Sequence, residues 1–421
     1  MPTLSQWKSH IHTLPLDTLY GDRAPAQPAR YAALLDAFGN TFGDRPDISL
    51  FSVPGRTEIG GNHTDHNHGR VLAGAVNLDI IAAAVPNGDG VIRLHSLGHK
   101  PNLVELNDLA AHDREKGRSN AVIRGIAARF AELGLPIGGF DAVTASDVLT
   151  GSGLSSSAAF EVMVCTILDC LYGSDALPPL TKAKISQYAE NVYFGKPCGL
   201  MDQTACACGG LIAIDFQDIE NPEVTPVPFD FASAGHVLCI VNTGGNHADL
   251  TPEYAAVPEE MRAAAGALGV THLRQTAPGA LLASIPHLRI RAGDRAILRA
   301  LHFFGDNERV ARQAAALRNG NFAVFLAETL SSGRSSWMYN QNVSIPGSRD
   351  QGAALGLCLA ERLLDGEGAC RIHGGGFAGT IQAFVPEERL PAFREAMESV
   401  FGPGACLCLT VRQAGAVRLV V

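Results

Sequence analysis

Four stretches of this chain carry side chains whose types and spacing suit chemistry on a small, oxygen-rich ligand. The densest is PGRTEIGGNHTDHNHG, Pro54 to Gly69, which crowds Arg56, Glu58, Asn62, His63, Asp65, His66 and His68 between glycines. Such a mixture suits a polyol, because each sugar hydroxyl takes one donor and offers one. It also suits a metal site built on His63, Asp65, His66 and His68, or a solvated loop. No H-E-x-x-H spacing marks a hydrolase.

The second stretch, GSGLSSSAAFE from Gly151 to Glu161, leads from an apolar run into an apolar helix. Its glycines let the backbone approach a ligand, its first helical N–H groups point outward, and the helix dipole favours an anion there. The serines add hydroxyl donors, one of them a candidate Mg²⁺ ligand. A serine-capped helix explains the same residues without a ligand. The GxxxxGK[ST] loop is absent. The third stretch places Glu190 and Asp202 on either side of a turn made by Gly195, Pro197 and Gly199. Asp202 follows the apolar Leu200 and Met201. A half-buried carboxylate near a cation accepts a proton from a hydroxyl, although a helix-capping aspartate has the same local pattern. The fourth is RIHGGGFAGT, Arg371 to Thr380, where three glycines allow a close approach or simply a tight turn between antiparallel strands.

The elements around these stretches alternate. Ile48 to Val53 and Phe140 to Val148 read as strands, the first stopped by Pro54-Gly55. Ser156 to Tyr172 is apolar almost all round and predicts a buried helix. Lys182 to Phe194 predicts another helix, and Leu211 to Phe216 and His236 to Val241 two more strands. Helices are expected at Tyr31 to Phe38, Pro258 to Leu268, Arg295 to Asn319, Gln351 to Leu364 and Leu390 to Phe401. Ile381 to Val385 is a strand, and the C-terminal run CLCLTVRQAGAVRLVV predicts a hairpin turning near Ala414-Gly415. The first thirty residues, with Pro15, Pro25 and Pro28, read as irregular. The mixture makes the class α+β. A boundary near 215 divides the 421 residues into two domains of normal size, 1–215 and 216–421.

Composition excludes several classes. Lys and Arg number 33 against 42 Asp and Glu, a net charge of −9 that leaves no basic face for nucleic acid. The longest apolar stretch, Val71 to Val85, is interrupted by Asn77 and Asp79 and is too short to span a membrane. The N-terminal residues hold no apolar run of the secretory kind. The ten cysteines include no CxxC pair; Cys206/Cys208 and Cys406/Cys408 read as buried strand residues rather than zinc ligands. The chain is therefore expected to be soluble, reduced and cytoplasmic.

Taken together and in this order, the four stretches resemble the motifs of the GHMP kinases, and within them the galactokinase branch. The likeness runs over roughly residues 35 to 415, with lesser echoes at NTGGNHADLTPEY, GDNERV and the helix after NVSIPGSRDQ. It implies a two-domain fold with the active site in the interdomain cleft and ATP-dependent phosphorylation of a monosaccharide, galactose first, at its anomeric hydroxyl. Asp202 is then the general base, with Arg56 beside it to acidify the hydroxyl and steady the transferring group. Gly151, Ser152, Gly153, Leu154, Ser155, Ser156 and Ser157 would cradle the ATP phosphates. Ser157 and Glu190 would hold Mg²⁺. Asn62, His63, Asp65, Gly199 and Tyr254 would meet the sugar. The chain departs from the pattern at Asn62, where the family has glutamate, at His66, where it has tyrosine, at His68, where it has glycine, and at Leu149, where proline is common. Loss of a charged acceptor at Asn62 predicts a change of about tenfold to a hundredfold in sugar affinity. That leaves room for a kinase of another sugar, such as an amino sugar, L-arabinose or a uronic acid. A non-catalytic sugar sensor is disfavoured by the intact serines, Arg56 and Asp202.

Overall fold

The computed structural model describes residues 3–148, 153–245 and 250–420. The strands, in chain order, are β1 (Ser49–Gly60), β2 (Arg70–Pro86), β3 (Val91–Ser96), β4 (Asn102–Glu105), β5 (Phe140–Ser146), β6 (Leu211–Asp215), β7 (Glu223–Pro226), β8 (His236–Gly244), β9 (Ala369–Ile372), β10 (Gly379–Pro386), β11 (Cys406–Leu409) and β12 (Val417–Leu419). They form two sheets. The larger has the order β12-β1-β2-β5-β3-β4, with β6 also paired to β2 and β7 to β6; the smaller has the order β11-β8-β10-β9. All pairings are antiparallel except β3 with β5. The class is α+β.

The central strands are buried on both faces because helices cover both. Ile48, just before β1, and Leu50 on it enter the core beneath the helix Gln27–Phe42, whereas Phe51 and Val53 enter the core around the helix Ser156–Tyr172. The alternation continues on β2, with Ile81, Ala83 and Val85 on one side and Ile80, Ala82 and Ala84 on the other. Period-two side-chain direction sends one apolar strand into two cores.

Asn77 and Asp79, which break the apolar run of β2, are both satisfied. Asp79 is fully buried and binds Arg30 at 2.5 Å, Arg412 at 3.2 Å and the Tyr20 hydroxyl at 2.7 Å. Burial works against its charge, but the two guanidinium groups outweigh it and hold the carboxyl below its usual range. One carboxylate thus ties the N-terminal helices and the C-terminal segment to the middle of the sheet.

Several expectations need correcting. The N-terminal residues are helical at Leu4–His10 and Leu16–Tyr20, because Trp7, Ile11, Leu16 and Leu19 pack into the core that Gln27–Phe42 covers. Strand β1 does not stop at Pro54-Gly55; it continues to Gly60 across register shifts at Pro54/Arg56 and Glu58/Gly60. The C-terminal run is not a hairpin. Strand β11 pairs with β8 in the smaller sheet, while β12 crosses back to pair with β1 in the larger one. Strands β7 and β12, both beyond residue 215, therefore belong to the first sheet, and a cut at 215 does not separate the two sheets. Among the described residues no helix is long and apolar enough to cross a membrane.

Candidate active site

The irregular register of β1 matters first, because it sets Arg56 among residues from three other segments. The Arg56 backbone N–H donates to Leu154 O at 3.0 Å, and one guanidinium N–H donates to Gly153 O. The other guanidinium edge grips Asp202 in a two-point pair, Nε to Oδ1 at 2.7 Å and Nη2 to Oδ2 at 2.5 Å. The Ser155 hydroxyl donates to the same carboxylate at 2.7 Å. Burial opposes both charges, yet their attraction outweighs it: Arg56 is held above, and Asp202 below, its ordinary range. The Arg56 side chain is 9% exposed and that of Asp202 is 30%, so the carboxylate is the partner that meets the cleft. Ser155 sits at φ +56, a left-handed backbone held by this arrangement at the start of the helix Ser156–Tyr172.

On one side of the pair lies the histidine-rich loop. His63, also left-handed at φ +58, is within 2.9 Å of Gly375 O through Nε2. Facing a carbonyl, Nε2 must carry the proton, so Nδ1 is the acceptor. Burial, then His66, lowers its pKa to about 4, so the ring is neutral at pH 7. Asp65 abuts Gly199, where any β-carbon would overlap its carboxylate, and Tyr254 packs on Gly375 and donates to Gly376 O at 2.7 Å. His63 and Tyr254, far apart in sequence, thus meet at the glycine run 374–376, while Asp65 is brought against Gly199.

Asn62 behaves differently. Its side chain is 0% exposed. Its Nδ2 donates to Gly374 O at 2.6 Å and to Glu58 Oε1 at 3.2 Å, while its Oδ1 accepts from Asn342 at 2.7 Å. Its backbone N–H donates to Asp306 at 3.2 Å and its carbonyl accepts from His302 at 2.9 Å. Asn62 faces protein on every side. This corrects the expectation of a sugar contact, because the polar groups beneath it consume both ends of its amide. Glu58 is occupied in the same layer by Arg371, at 2.7 Å.

On the other side of the pair lies a cavity of about 560 Å³, a size suited to a small organic ligand. Ser156 and Ser157 line it at one end, with Glu161 and Glu190 beside them and His99, Asn102, Phe160 and Phe194 along the walls. Glu190 comes from a wide π-type turn, Ala189–Phe194, that extends the helix Pro179–Tyr188. The Gln203 amide nitrogen donates to both carboxylates, at 2.8 Å to Glu161 and 2.9 Å to Glu190. Burial and the neighbouring Glu190 push the Glu161 carboxyl well up. The sequence reading missed Glu161; its position four residues after Ser157, on the same helix face, was the available signal. Gly151 and Ser152 lie outside the described residues.

Residues 36–86 match the galactokinase galactose-binding signature, and residues 120–210 match the GHMP kinases N terminal domain. Over 396 residues the chain is 33% identical to a galactokinase of Streptomyces coelicolor, covering 91% of this chain and 97% of that one. Over 400 residues it is 30% identical to a galactokinase of Homo sapiens, covering 94% and 98%. The chain belongs to the galactokinase family.

The solved structures agree on the fold. A crystal structure of Lactococcus lactis galactokinase complexed with galactose superposes with a TM-score of 0.79 at 24% identity, over 92% of this chain and 99% of that one. A mevalonate kinase does so at 0.60 and 15%, over 86% and 98%. As a member of the galactokinase family the chain is a sugar kinase that uses ATP.

Proposed function

We propose that the protein transfers the γ-phosphoryl group of ATP to the anomeric hydroxyl of galactose, with Asp202 and Arg56 at the reacting centre. The observation that carries this reading is the two-point Arg56–Asp202 pair, held against the backbone of Gly153 and Leu154 with the Asp202 carboxylate partly exposed. Phosphoryl transfer needs alignment and charge neutralisation more than covalent chemistry. The helix start at Ser155–Ser157 offers outward N–H groups to the phosphates. Arg56 supplies a fixed positive charge beside the transferring group. Asp202 is a carboxylate at neutral pH but a weak base, since Arg56 holds its pKa down. It orients the hydroxyl by accepting its hydrogen bond, and takes the proton only as the acceptor oxygen becomes acidic during bond formation.

The sugar is read by His63 Nδ1, Asp65 and Tyr254, with Gly199 leaving room between Asp65 and the turn that carries Asp202. A divalent cation fits the cavity end. Glu161 and Glu190 share the Gln203 amide donor, Glu190 has one further long contact with Lys196 at 3.5 Å, and Gln203 Oε1 is buried without a partner, so acceptor oxygens remain for a cation. Ser157 and Glu190 are the residues that would hold Mg²⁺; bound with ATP, it neutralises phosphate charge. The polypeptide works in the cytoplasm in this reading, where ATP and sugar meet.

The test is ADP release with Mg-ATP and a panel of galactose, galactosamine, N-acetylgalactosamine, arabinose, glucose and galacturonate. Galactose is expected to turn over, and Asp202→Asn to lose at least about a hundredfold in kcat with the fold intact. Turnover confined to another sugar would move the proposal to that substrate, and no turnover with measurable sugar binding would refute the kinase reading.

A further inference from the structure

A second cluster of reactive side chains lies in the smaller sheet, and the kinase chemistry leaves it unused. Cys408 on β11 pairs directly with Cys239 on β8, and Cys406 lies two residues before it on the same strand. Two-residue spacing puts Cys406 and Cys408 on one face, and Cys239 points to that face as well. All three enter the core that the helices Gly352–Leu364 and Leu390–Phe401 cover, together with Leu357, Phe393 and Met397. Their sulfurs lie within 4.8 Å of one another, and none is in a disulfide. Cys239 and Cys406 are buried; Cys408 is only half-buried and gives the cluster a route to solvent. Among the described residues this is the one group of three such ligands that converges so closely.

We propose that Cys239, Cys406 and Cys408 form a binding site for a soft, thiophilic cation, Cu(I) being the best match. A metal–sulfur bond of about 2.3 Å in a trigonal set requires sulfurs about 4.0 Å apart, inside the spacing seen here. Thiolate ligands select soft cations over Mg²⁺ or Ca²⁺, and among the described residues no carboxylate or imidazole completes the set for a harder one. Three ligands without a fourth suit a three-coordinate monovalent ion better than Zn²⁺, which takes four. As the cation binds, each thiol releases its proton to solvent, so no oxidant is needed. Arg394, on the helix that covers the cluster, brings a positive charge to bear on Cys406 and Cys408 and offsets part of the excess negative charge.

The site has a structural consequence. Strand β11 is the edge of the smaller sheet, and the chain leaves it through Thr410 and Arg412, whose backbone groups bond to Asn77 and Ala75 of the larger sheet. A cation joining β11 to β8 would fasten that edge and raise the thermal stability of the whole chain, since the converged cluster holds it more tightly than the separated thiols of the unfolded chain.

The experiment titrates the reduced full-length protein with Cu(I), supplied anaerobically from a coloured chelator complex, and follows both chelator release and the melting temperature. The parent is expected to take one equivalent against the chelator and to melt higher with it. Cys408→Ser, at a half-buried position, should weaken binding by on the order of a hundredfold or more and abolish the melting shift. Cys358→Ser, at an exposed cysteine outside the cluster, should change neither. Circular dichroism of Cys408→Ser without metal establishes that the variant is folded. Binding unchanged in a folded Cys408→Ser protein, or lost equally in Cys358→Ser, overturns the proposal, as does a parent that yields only a Cys239–Cys408 disulfide and takes no cation.

Discussion

Replacing Asn62 by aspartate separates a residue that touches the sugar from one that holds the site together. The two side chains have the same shape, but the substitution puts a second carboxylate oxygen where Nδ2 now lies 3.2 Å from Glu58 Oε1. Two full charges at that distance repel by about 5 kcal/mol at an effective dielectric of about 20. The pair has a cheaper option, which is to keep one proton. Holding a carboxyl with an ordinary pKa of about 4 protonated at pH 7 costs about 4 kcal/mol, which caps the penalty. Glu58, whose pKa burial already raises against the pull of Arg371, is the natural holder of that proton. Gly374 O keeps a donor only if the proton sits on residue 62 instead. The folded variant therefore binds a proton that the unfolded chain does not at neutral pH. Its folded-state pKa is raised, so the deficit is smallest below about pH 4, grows as pH rises, and levels off once the charge repulsion limit is reached. A loss of about 4 kcal/mol corresponds to a fall of roughly 5 °C in melting temperature for a chain of this size. Differential scanning fluorimetry of parent and Asn62→Asp at pH 5.5 and pH 8, with KM for galactose measured in parallel, reads both effects. A variant that melts with the parent at pH 8 while its KM shifts severalfold would mean that Asn62 faces the sugar, and the reasoning fails.

Three further outcomes are expected. Gly199→Ala should raise KM for sugar about tenfold or more with kcat less affected, because its β-carbon overlaps the Asp65 carboxylate; steady-state kinetics with unchanged ATP KM checks this. Ser155→Ala removes one of the hydrogen bonds that keep Asp202 ionised, in company with the larger Arg56 effect; the acid limb of the kcat profile should move to higher pH, and an unmoved limb would argue against Asp202 as the titrating group. Asp79→Asn should destabilise by about 3–5 kcal/mol at pH 7, since Arg30 and Arg412 lose their buried counter-charge. Because Asp79 is depressed below its unfolded value, the parent has this contribution above about pH 4 and loses it as pH falls, so urea midpoints of parent and variant should converge in acid.

The chemistry of this protein was legible where it depends on residue type and local spacing. Arg56, the Ser155–Ser157 run, Asp202 and the glycine run 374–376 stand in short motifs, and a helix start or a tight turn is specified by its own few residues. The buried helix Ser156–Tyr172 and the flanking helices were readable because their periodicity is local. Asn62 illustrates what was not. From its neighbours it is one more polar side chain in a polyol-binding loop; its partners Gly374 and Asn342 lie hundreds of residues away, and only the folded chain turns its amide toward them. Glu161 was hidden in an apolar helix until Gln203 and Glu190 came beside it. The closing strand Val417–Leu419 could pair with its near neighbour or with β1, and its sequence does not distinguish the two; the Arg412–Asp79 pair and the space beside β1 decide it. By itself the sequence determined which groups can bind phosphate, take a proton or turn a loop, since those properties belong to single residues and their close neighbours. Which groups face the ligand and which face one another was settled only by tertiary packing, because burial fixes a polar side chain's partners and those partners come from anywhere in the chain.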